Sequence, residues 1–301
     1  MKRVIIITGP TASGKTELSI EIAKRINGEI ISADSMQIYR EMNIGTAKPT
    51  EAEMQGIPHY MIDEVSIGTP YSVALYQKKA FECIEDILSR GKTPIVVGGT
   101  GLYINSLLYN LDFTKTTKND KLRTELETLP SEELHRKLKE LDETAAQRIH
   151  PNDKKRIIRR IEILKSGIKE DYNFREKNTS YDFLVIGIWM DRKELYERTN
   201  RRVDIMIGRG LAWEVAEIYK KYPVNLIALQ AIGYKEIIEY LEGRCTLAGA
   251  IDNIKKNTRR FAKRQLTWFN NEERLIWFDK NRYQNTEEML YDIIKKISSN
   301  K

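Results

Sequence analysis

Apolar residues along this chain gather into short unbroken runs, each bounded by glycine or a turn residue. They read VIIITG at 4–9, EIISAD at 29–34, TPIVVGG at 93–99 and FLVIGIWM at 183–190. Runs this continuous, with no polar alternation, suit strands buried on both faces. Between the first three lie segments at 17–26 and 72–88 whose apolar positions recur at helical spacing. That alternation predicts an α/β fold, a doubly wound parallel sheet that holds its ligand outside the carboxyl ends of the strands.

From about 113 to 180 the pattern changes. The stretch NDKLRTELETLPSEELHRKLKELDETAAQRIHPNDKKRIIRRIEILKSG is highly charged, helical in period and poor in strand formers. It separates the third run from the fourth, so it reads as a helical insertion domain (113–180) within a core made of 1–112 plus 181–301. Beyond the fourth run the chain reads as almost wholly helical.

Composition narrows the class. The 301 residues can bury a substantial core, and 41% hydrophobic against 31% charged is a globular balance. No apolar run approaches the length of a membrane span, and the first leads into a glycine loop rather than a cleavage site. Cys83 and Cys245 stand far apart, and His59, His135 and His150 are scattered. A disulfide scaffold and a zinc site are therefore not expected, and a reducing cytoplasm is. The net charge of +7 suits a polyanionic partner.

The chemistry begins at VIIITGPTASGKT, where G-x-x-x-x-G-K-[ST] stands directly after a strand and directly before a helix. Gly9 and Gly14 let the backbone curl so that successive N–H groups point inward, and the helix N-terminus adds its positive end. Lys15 can reach phosphate oxygens, and the Thr16 hydroxyl is placed for Mg²⁺. This is the start of a P-loop NTPase-like core. An ordinary ATPase would also carry an acidic residue at the end of another strand. The third run ends VVGGTGLY without one, whereas the second ends in Asp34. That carboxylate can ligate Mg²⁺ through water or act as a general base, and its plainer role is a helix N-cap.

The segments GPTASGKT, ADSMQIYR, NIGTAKP, VVGGTGLY, RIHPND, AIGYKE and RRFAKRQLTWF, in that order from about residue 4 to 270, closely resemble the tRNA dimethylallyltransferases. The resemblance implies transfer of a dimethylallyl group from dimethylallyl diphosphate to N6 of the adenosine 3′-adjacent to the anticodon, in the tRNA anticodon stem-loop. It implies that Gly9, Thr11, Ala12, Ser13, Gly14, Lys15 and Thr16 hold the leaving diphosphate with Mg²⁺ as cofactor. Asp34 would be the base, with Thr100 beside the reacting amine and Lys15 on the leaving group. Ser35, Met36 and Gln37 would lie at the target adenosine, where a carboxamide suits an adenine edge. For tRNA, the resemblance adds Thr46, Lys48 and Arg123, then Lys155, Arg156, Ile157, Ile158 and Arg159. It also adds Gln230, Ala231, Ile232, Gly233, Tyr234 and Lys235. This chain departs from the pattern at Tyr60, Glu143 and Arg160, the last of which would add an RNA contact or face solvent. The resemblance is to the bacterial type, for which no Cys/His extension is expected, and nothing in the chain demands a dimer.

Independently of that likeness, IDNIKKNTRRFAKRQLTWF is amphipathic. Projected at about 100° per residue, Leu247, Ile251, Ile254, Phe261 and Phe269 fall within an arc of roughly 80°. Lys255, Lys256, Arg259, Arg260, Lys263 and Arg264 fill most of the opposite half, where Asp252 is the only acid. Pairing along the helix does not account for so many cations. Arg259, Arg260, Lys263 and Arg264 are expected to meet RNA phosphate. Trp268 and Phe269 project toward the core rather than onto bases.

Two rival enzymes remain. LYERTNRRVDIMIGRG, with its spaced arginines, resembles the lid helix of small-molecule or nucleoside kinases. A prenyl transferase acting on free adenine nucleotides would need the same site without the insertion or the basic helix. A pure RNA-binding module would need neither the phosphate loop nor Asp34.

Overall fold

The computed structural model describes residues 2–111, 119–166 and 176–299. The chain divides into two compact units, one of Met1–Tyr109 with Lys177–Lys301 and one of Asn110–Glu176. The first begins with β1 (Arg3–Thr8), α1 (Lys15–Ile26), β2 (Gly28–Ser32), α2 (Glu51–Met54) and β3 (His59–Tyr60). It continues through α3 (Val73–Ser89), β4 (Thr93–Val97) and α4 (Gly101–Leu108). The second unit supplies α5 (Asp120–Glu127), α6 (Ser131–Leu141), α7 (Glu143–Arg148) and α8 (Lys154–Lys165). The chain then returns to the first with β5 (Asp182–Trp189), α9 (Arg192–Gly208), α10 (Leu211–Lys221) and α11 (Tyr234–Leu241). It closes with α12 (Leu247–Phe269), β6 (Leu275–Asp279) and α13 (Thr286–Ser299).

The six strands form one parallel sheet in the order β3-β2-β4-β1-β5-β6. The four apolar runs are β1, β2, β4 and β5. Ile5, Ile7, Ile30, Ile95 and Ile186 bury against Leu18 and Ile22 of α1 and Leu290 and Ile293 of α13. The alternate positions Val4, Ile6, Ile31, Val96 and Val185 are buried as well. Coverage of both faces is why these strands read as unbroken apolar segments. The region after the fourth run is not wholly helical, because β6 adds to β5 from Val185↔Leu275 to Trp189↔Asp279. At the sheet edge only Phe278 of that strand is buried, so it lacks the signature of the central runs.

One buried charge stands at the start of β2. The Glu29 carboxylate accepts from Arg90 Nη1 (2.7 Å) and Nη2 (2.6 Å), from Lys92 Nζ (2.6 Å) and from the Tyr60 hydroxyl (2.8 Å). The Arg90 hydrogen bonds outweigh the cost of burial and, with Lys92 and Tyr60, hold its pKa down to about 2. Because the folded state keeps this group ionised, its contribution is complete above the ordinary carboxylate value. It is lost as pH falls toward 2. Glu29→Gln should destabilise the fold by about 1–3 kcal/mol at neutral pH. In urea melts, the gap between wild type and variant should narrow as pH drops below the ordinary carboxylate value, and a constant gap would contradict the account.

The second unit has its own core of Leu126, Leu134, Leu138, Ala146, Ile157, Ile158 and Ile161. Ile157 and Ile158 are 0% and 4% exposed, so their expected place at the RNA is corrected: helical spacing turns them inward while Lys155 and Arg156 stay exposed. Buried Glu162 takes Arg123 Nη2 at 2.7 Å and Arg159 Nη1 at 3.6 Å. Arg160 neither faces solvent nor stands ready for RNA, because it pairs with Asp142, the N-cap of α7. No described helix is long and apolar enough to cross a membrane.

Candidate active site

The phosphate loop connects β1 to α1 by a backbone only certain residues allow. Gly9 has φ 138°, and a Cβ there would lie 2.6 Å from the Ile188 carbonyl oxygen, a backbone atom that cannot yield. Gly14, at φ 92°, enters α1 through the left-handed region, and Ala12 shares that region at φ 66°. Lys15 Nζ donates back to the Pro10 carbonyl at 2.8 Å. The Ser13 hydroxyl is buried without a hydrogen-bond partner among the described residues. The Thr11 N–H is already engaged, donating to Gln265 Oε1 at 2.8 Å, while Gln265 Nε2 donates to the Gly99 carbonyl at 2.9 Å. One buried carboxamide on α12 thus ties the phosphate loop to the turn after β4. Its role was invisible in the sequence, where Gln265 is one polar residue in a basic helix.

The carboxyl ends of β2 and β4 are stitched together. Ala33 N donates to Val97 O (2.8 Å) and Thr100 N to Ala33 O (3.1 Å). Gly98 packs so closely that a Cβ would stand 2.2 Å from the Ala33 carbonyl oxygen. This fixes Asp34, whose Oδ1 accepts from Met36 N at 2.9 Å. That bond makes a local Asx turn and caps no helix, since residues 35–38 form a turn. Oδ2 receives no hydrogen bond among the described residues. The Thr100 hydroxyl accepts from Ser35 N at 3.1 Å and lies 3.4 Å from Ser35 Oγ. Thr100 thus stands at the carboxyl end of β4, its hydroxyl tied to the turn that carries Asp34.

The cleft itself encloses about 660 Å³ of empty space, part of it open to solvent. Thr11, Lys15, Thr16, Asp34, Gln37 and Thr46 all line it, and so does Arg202. Arg202 lies one turn beyond Arg198 on α9, and Arg198 Nε donates to the Ala12 carbonyl at 2.9 Å. Lys280, just after β6, brings its ammonium to the same loop: a Cβ on Gly14 would be 3.7 Å from both Lys280 Nζ and Arg198 Nη2. Like charges crowd one another here, and burial adds to the effect. Burial and then Arg202 push Lys15 down to about 7, against the pull of Asp34. Burial lowers Arg202, with Asp34 opposing, and burial and then Arg198 lower Lys280. So many cations over so few anions describe a polyanion site. The signal was present in sequence as arginines four apart, but it pointed to a kinase lid.

For a metal, no group of three or more His, Cys, Asp or Glu among the described residues could hold an ion alone. Thr16 and Asp34 offer hard oxygen donors in the same cleft. That set fits Mg²⁺, which keeps water and substrate phosphate in its shell rather than an all-protein cage.

The residues expected at the RNA separate into free and engaged groups. Gln37 Nε2 donates to the Thr46 and Ala47 carbonyls at 3.3 and 3.4 Å, and its Oε1 accepts from Ser32 Oγ at 3.0 Å. Lys48 is corrected to a structural role. Its side chain is 6% exposed, donates to Tyr39 O and Asn43 Oδ1 (both 2.8 Å) and pairs with Asp63. Tyr234 is likewise corrected, being fully buried with its hydroxyl on Glu214 at 2.6 Å. Its neighbour Gly233 starts α11 at φ 97°, and Gln230 Nε2 donates to Val224 O at 3.0 Å. Lys235 stays half exposed, 3.7 Å from Glu236. On α12, Lys255 meets Asp204 from α9 at 2.6 Å and Arg259 meets Asn200 at 2.6 Å. Arg260, Lys263 and Arg264 are exposed without an ion pair among the described residues. Phe269 is buried as projected, whereas Trp268 is 39% exposed, its indole standing over Gly101.

A family model described as IPP transferase matches residues 37–272. A tRNA dimethylallyltransferase of Acetivibrio thermocellus is 50% identical, covering 97% of this chain and 96% of the relative. One of Clostridioides difficile is 49% identical over 99% of this chain and 98% of the relative. Among solved structures, a tRNA delta(2)-isopentenylpyrophosphate transferase from Staphylococcus epidermidis covers both chains fully at 45% identity and a TM-score of 0.76. A eukaryotic dimethylallyltransferase acting on tRNA superposes with a TM-score of 0.86 at 31% identity, over 100% of this chain and 80% of that one.

Proposed function

This chain belongs to the IPP transferase family, the tRNA dimethylallyltransferases, and from that premise we propose the chemistry of its cleft. The substrates are dimethylallyl diphosphate and a tRNA whose adenosine 3′-adjacent to the anticodon presents N6. The observation that carries the reading is that the Asp34 carboxylate shares one cleft with Lys15 and Arg202 of the diphosphate end.

An exocyclic adenine amine is a weak nucleophile, because its lone pair is delocalised into the ring. The allylic C–O bond breaks as N6 forms its bond to the same carbon, and the N6 proton passes to Asp34 Oδ2. The electron pair of the C–O bond leaves with the diphosphate. Lys15, Arg198 and Arg202 stabilise that developing charge, as donors aimed at a leaving anion do. Mg²⁺, when bound, would offset further diphosphate charge, with Thr16 holding it directly and Asp34 through water. The loop that helps break a P–O bond in kinases would here help break a C–O bond.

The RNA is held by cations outside the cleft. Arg260, Lys263 and Arg264 on α12 supply phosphate contacts, which position the RNA without reading sequence. Lys155 and Arg156 on α8 do the same from the second unit. Reversing Lys263 and Arg264 together to glutamate should weaken tRNA binding and reduce the salt slope by about 1–2. The donor's Kd should not move. A salt slope equal to wild type would leave this face as plain solvated surface.

The reading as a whole is tested by transfer of label from radiolabelled dimethylallyl diphosphate with Mg²⁺. Three acceptors are offered: unmodified tRNA with adenosine beside the anticodon, the same tRNA with that base changed, and free AMP. Label on the first alone is expected. Label on AMP would move the enzyme to nucleotide prenylation, and ATP turnover without label would make it a kinase.

A further inference from the structure

Glu214 takes no part in the chemistry above, yet its buried carboxylate is fully used. Oε2 accepts from the backbone N–H of Asn43 (3.0 Å) and Ile44 (2.8 Å). Oε1 accepts from Gly45 N (3.2 Å) and from the Tyr234 hydroxyl (2.6 Å). Three successive N–H groups converging on one anion form a nest, and bonds to a charged acceptor are the strong kind. Tyr234 closes the same joint from the ring side. A Cβ on Gly45 would lie 2.4 Å from Tyr234 Cε2, so only glycine lets the loop seat on α11.

What the joint holds is the next two residues. The Thr46 and Ala47 carbonyls accept from Gln37 Nε2, and Ser32 Oγ donates to Gln37 Oε1. The carboxamide is therefore aimed from both ends: its two N–H groups sit on carbonyls at 3.3 and 3.4 Å, bonds long enough for an adenine ring nitrogen to share or replace one, and a second lone pair is left on Oε1. Thr46 also lines the cleft. An amide rotated by half a turn would exchange donor for acceptor, and its fit to a base edge would be lost. Orientation is thus the property on which base choice depends.

We propose that Glu214 is a positioning residue for target-base selection: by docking residues 43–45 it fixes the orientation of the Gln37 carboxamide toward the target adenine. This rests on the reading that Gln37 addresses that base. Without the Glu214 carboxylate three neighbouring N–H groups lose their acceptor, the loop shifts to find water, and the carbonyls that aim Gln37 move with it. The diphosphate end has no bond to this joint and keeps its affinity.

The test uses the full-length enzyme and tRNAs carrying adenosine, 7-deazaadenosine or 1-deazaadenosine at the target, which remove the N7 or the N1 acceptor in turn. Wild type should prefer adenosine over at least one analogue in kcat/KM by about tenfold, the discrimination of one bidentate pair. Glu214→Gln should bring that preference to within about twofold, as Gln37→Ala does, since both lose the same contact. The Kd for dimethylallyl diphosphate should stay at the wild-type value, and the double variant should be no less selective than Gln37→Ala alone. If Glu214→Gln does not fold, Gly45→Ala displaces the same loop with the carboxylate left in place and must give the same loss. Retained preference in Glu214→Gln, alongside its loss in Gln37→Ala, would overturn the role of Glu214. So would equal loss of donor affinity, which marks general loosening. If Gln37→Ala itself keeps the preference, the reading of Gln37 fails and the proposal with it.

Discussion

Asp34→Asn is expected to lower kcat for transfer by about 10²- to 10⁴-fold, the span usual for removing a general base. The substitution is close to isosteric, and the asparagine oxygen can still accept from Met36 N as Oδ1 does at 2.9 Å. The turn therefore survives, together with the stitching of Ala33 to Val97 and Thr100. What disappears is the capacity of the second oxygen to take a proton from N6. Affinity for tRNA should change little, because the cations proposed to meet its phosphates, Arg260, Lys263 and Arg264, lie on α12. A comparable loss of tRNA affinity, or a rate within a few-fold of wild type, would remove Asp34 from the role of base. Thr100→Val offers a contrast. It deletes the acceptor for Ser35 N and should lower kcat by less than Asp34→Asn does, because it disturbs the aim of Asp34 and not its chemistry.

The parts of this molecule that could be read from the chain are those whose physics is local. β1, β2, β4 and β5 announced themselves because both their faces are buried. The strand–loop–helix setting of Lys15 and the strand-end placing of Asp34 follow from the same alternation. β6 escaped because an edge strand with one buried residue in five looks like any mixed segment. Arg198, Arg202 and Lys280 escaped for a different reason. Their position depends on β5 lying beside β1 and β6 beside β5, and strand order is not written in any local pattern. Lys48 shows the limit from the other side. A lysine in a polar loop reads as surface, and only the fold reveals four oxygens from residues 39, 40, 43 and 63 around its ammonium. Ile157 and Ile158, by contrast, were legible. Their spacing with Ile161 marks a buried helical face, whereas the resemblance implies RNA contact for the whole stretch from 155 to 159.

The cationic end of the cleft should make donor binding depend on pH through Lys15. In the free protein burial and then Arg202 hold that ammonium at about 7, well below its ordinary value. A bound diphosphate reverses the balance, favouring the charged form, so binding above neutrality must take up a proton. By linkage, affinity for dimethylallyl diphosphate is full where Lys15 is already protonated, and it falls by at most about tenfold per pH unit as pH rises above 7. Titration calorimetry at pH 8 in buffers of different ionisation enthalpy should count that proton directly. Lys15→Met should remove both the uptake and the slope, and cost about 10²- to 10³-fold in kcat/KM, as losing one donor to a developing anion does. Arg202→Met separates the two effects. It removes a cation from the diphosphate, which weakens binding at pH 7, and it also lifts the repulsion on Lys15, which moves the onset of the pH dependence upward. A slope that persists in Lys15→Met would assign the titration to another group. An onset unmoved in Arg202→Met would mean that burial alone holds Lys15 down and that Arg202 serves the diphosphate and nothing else.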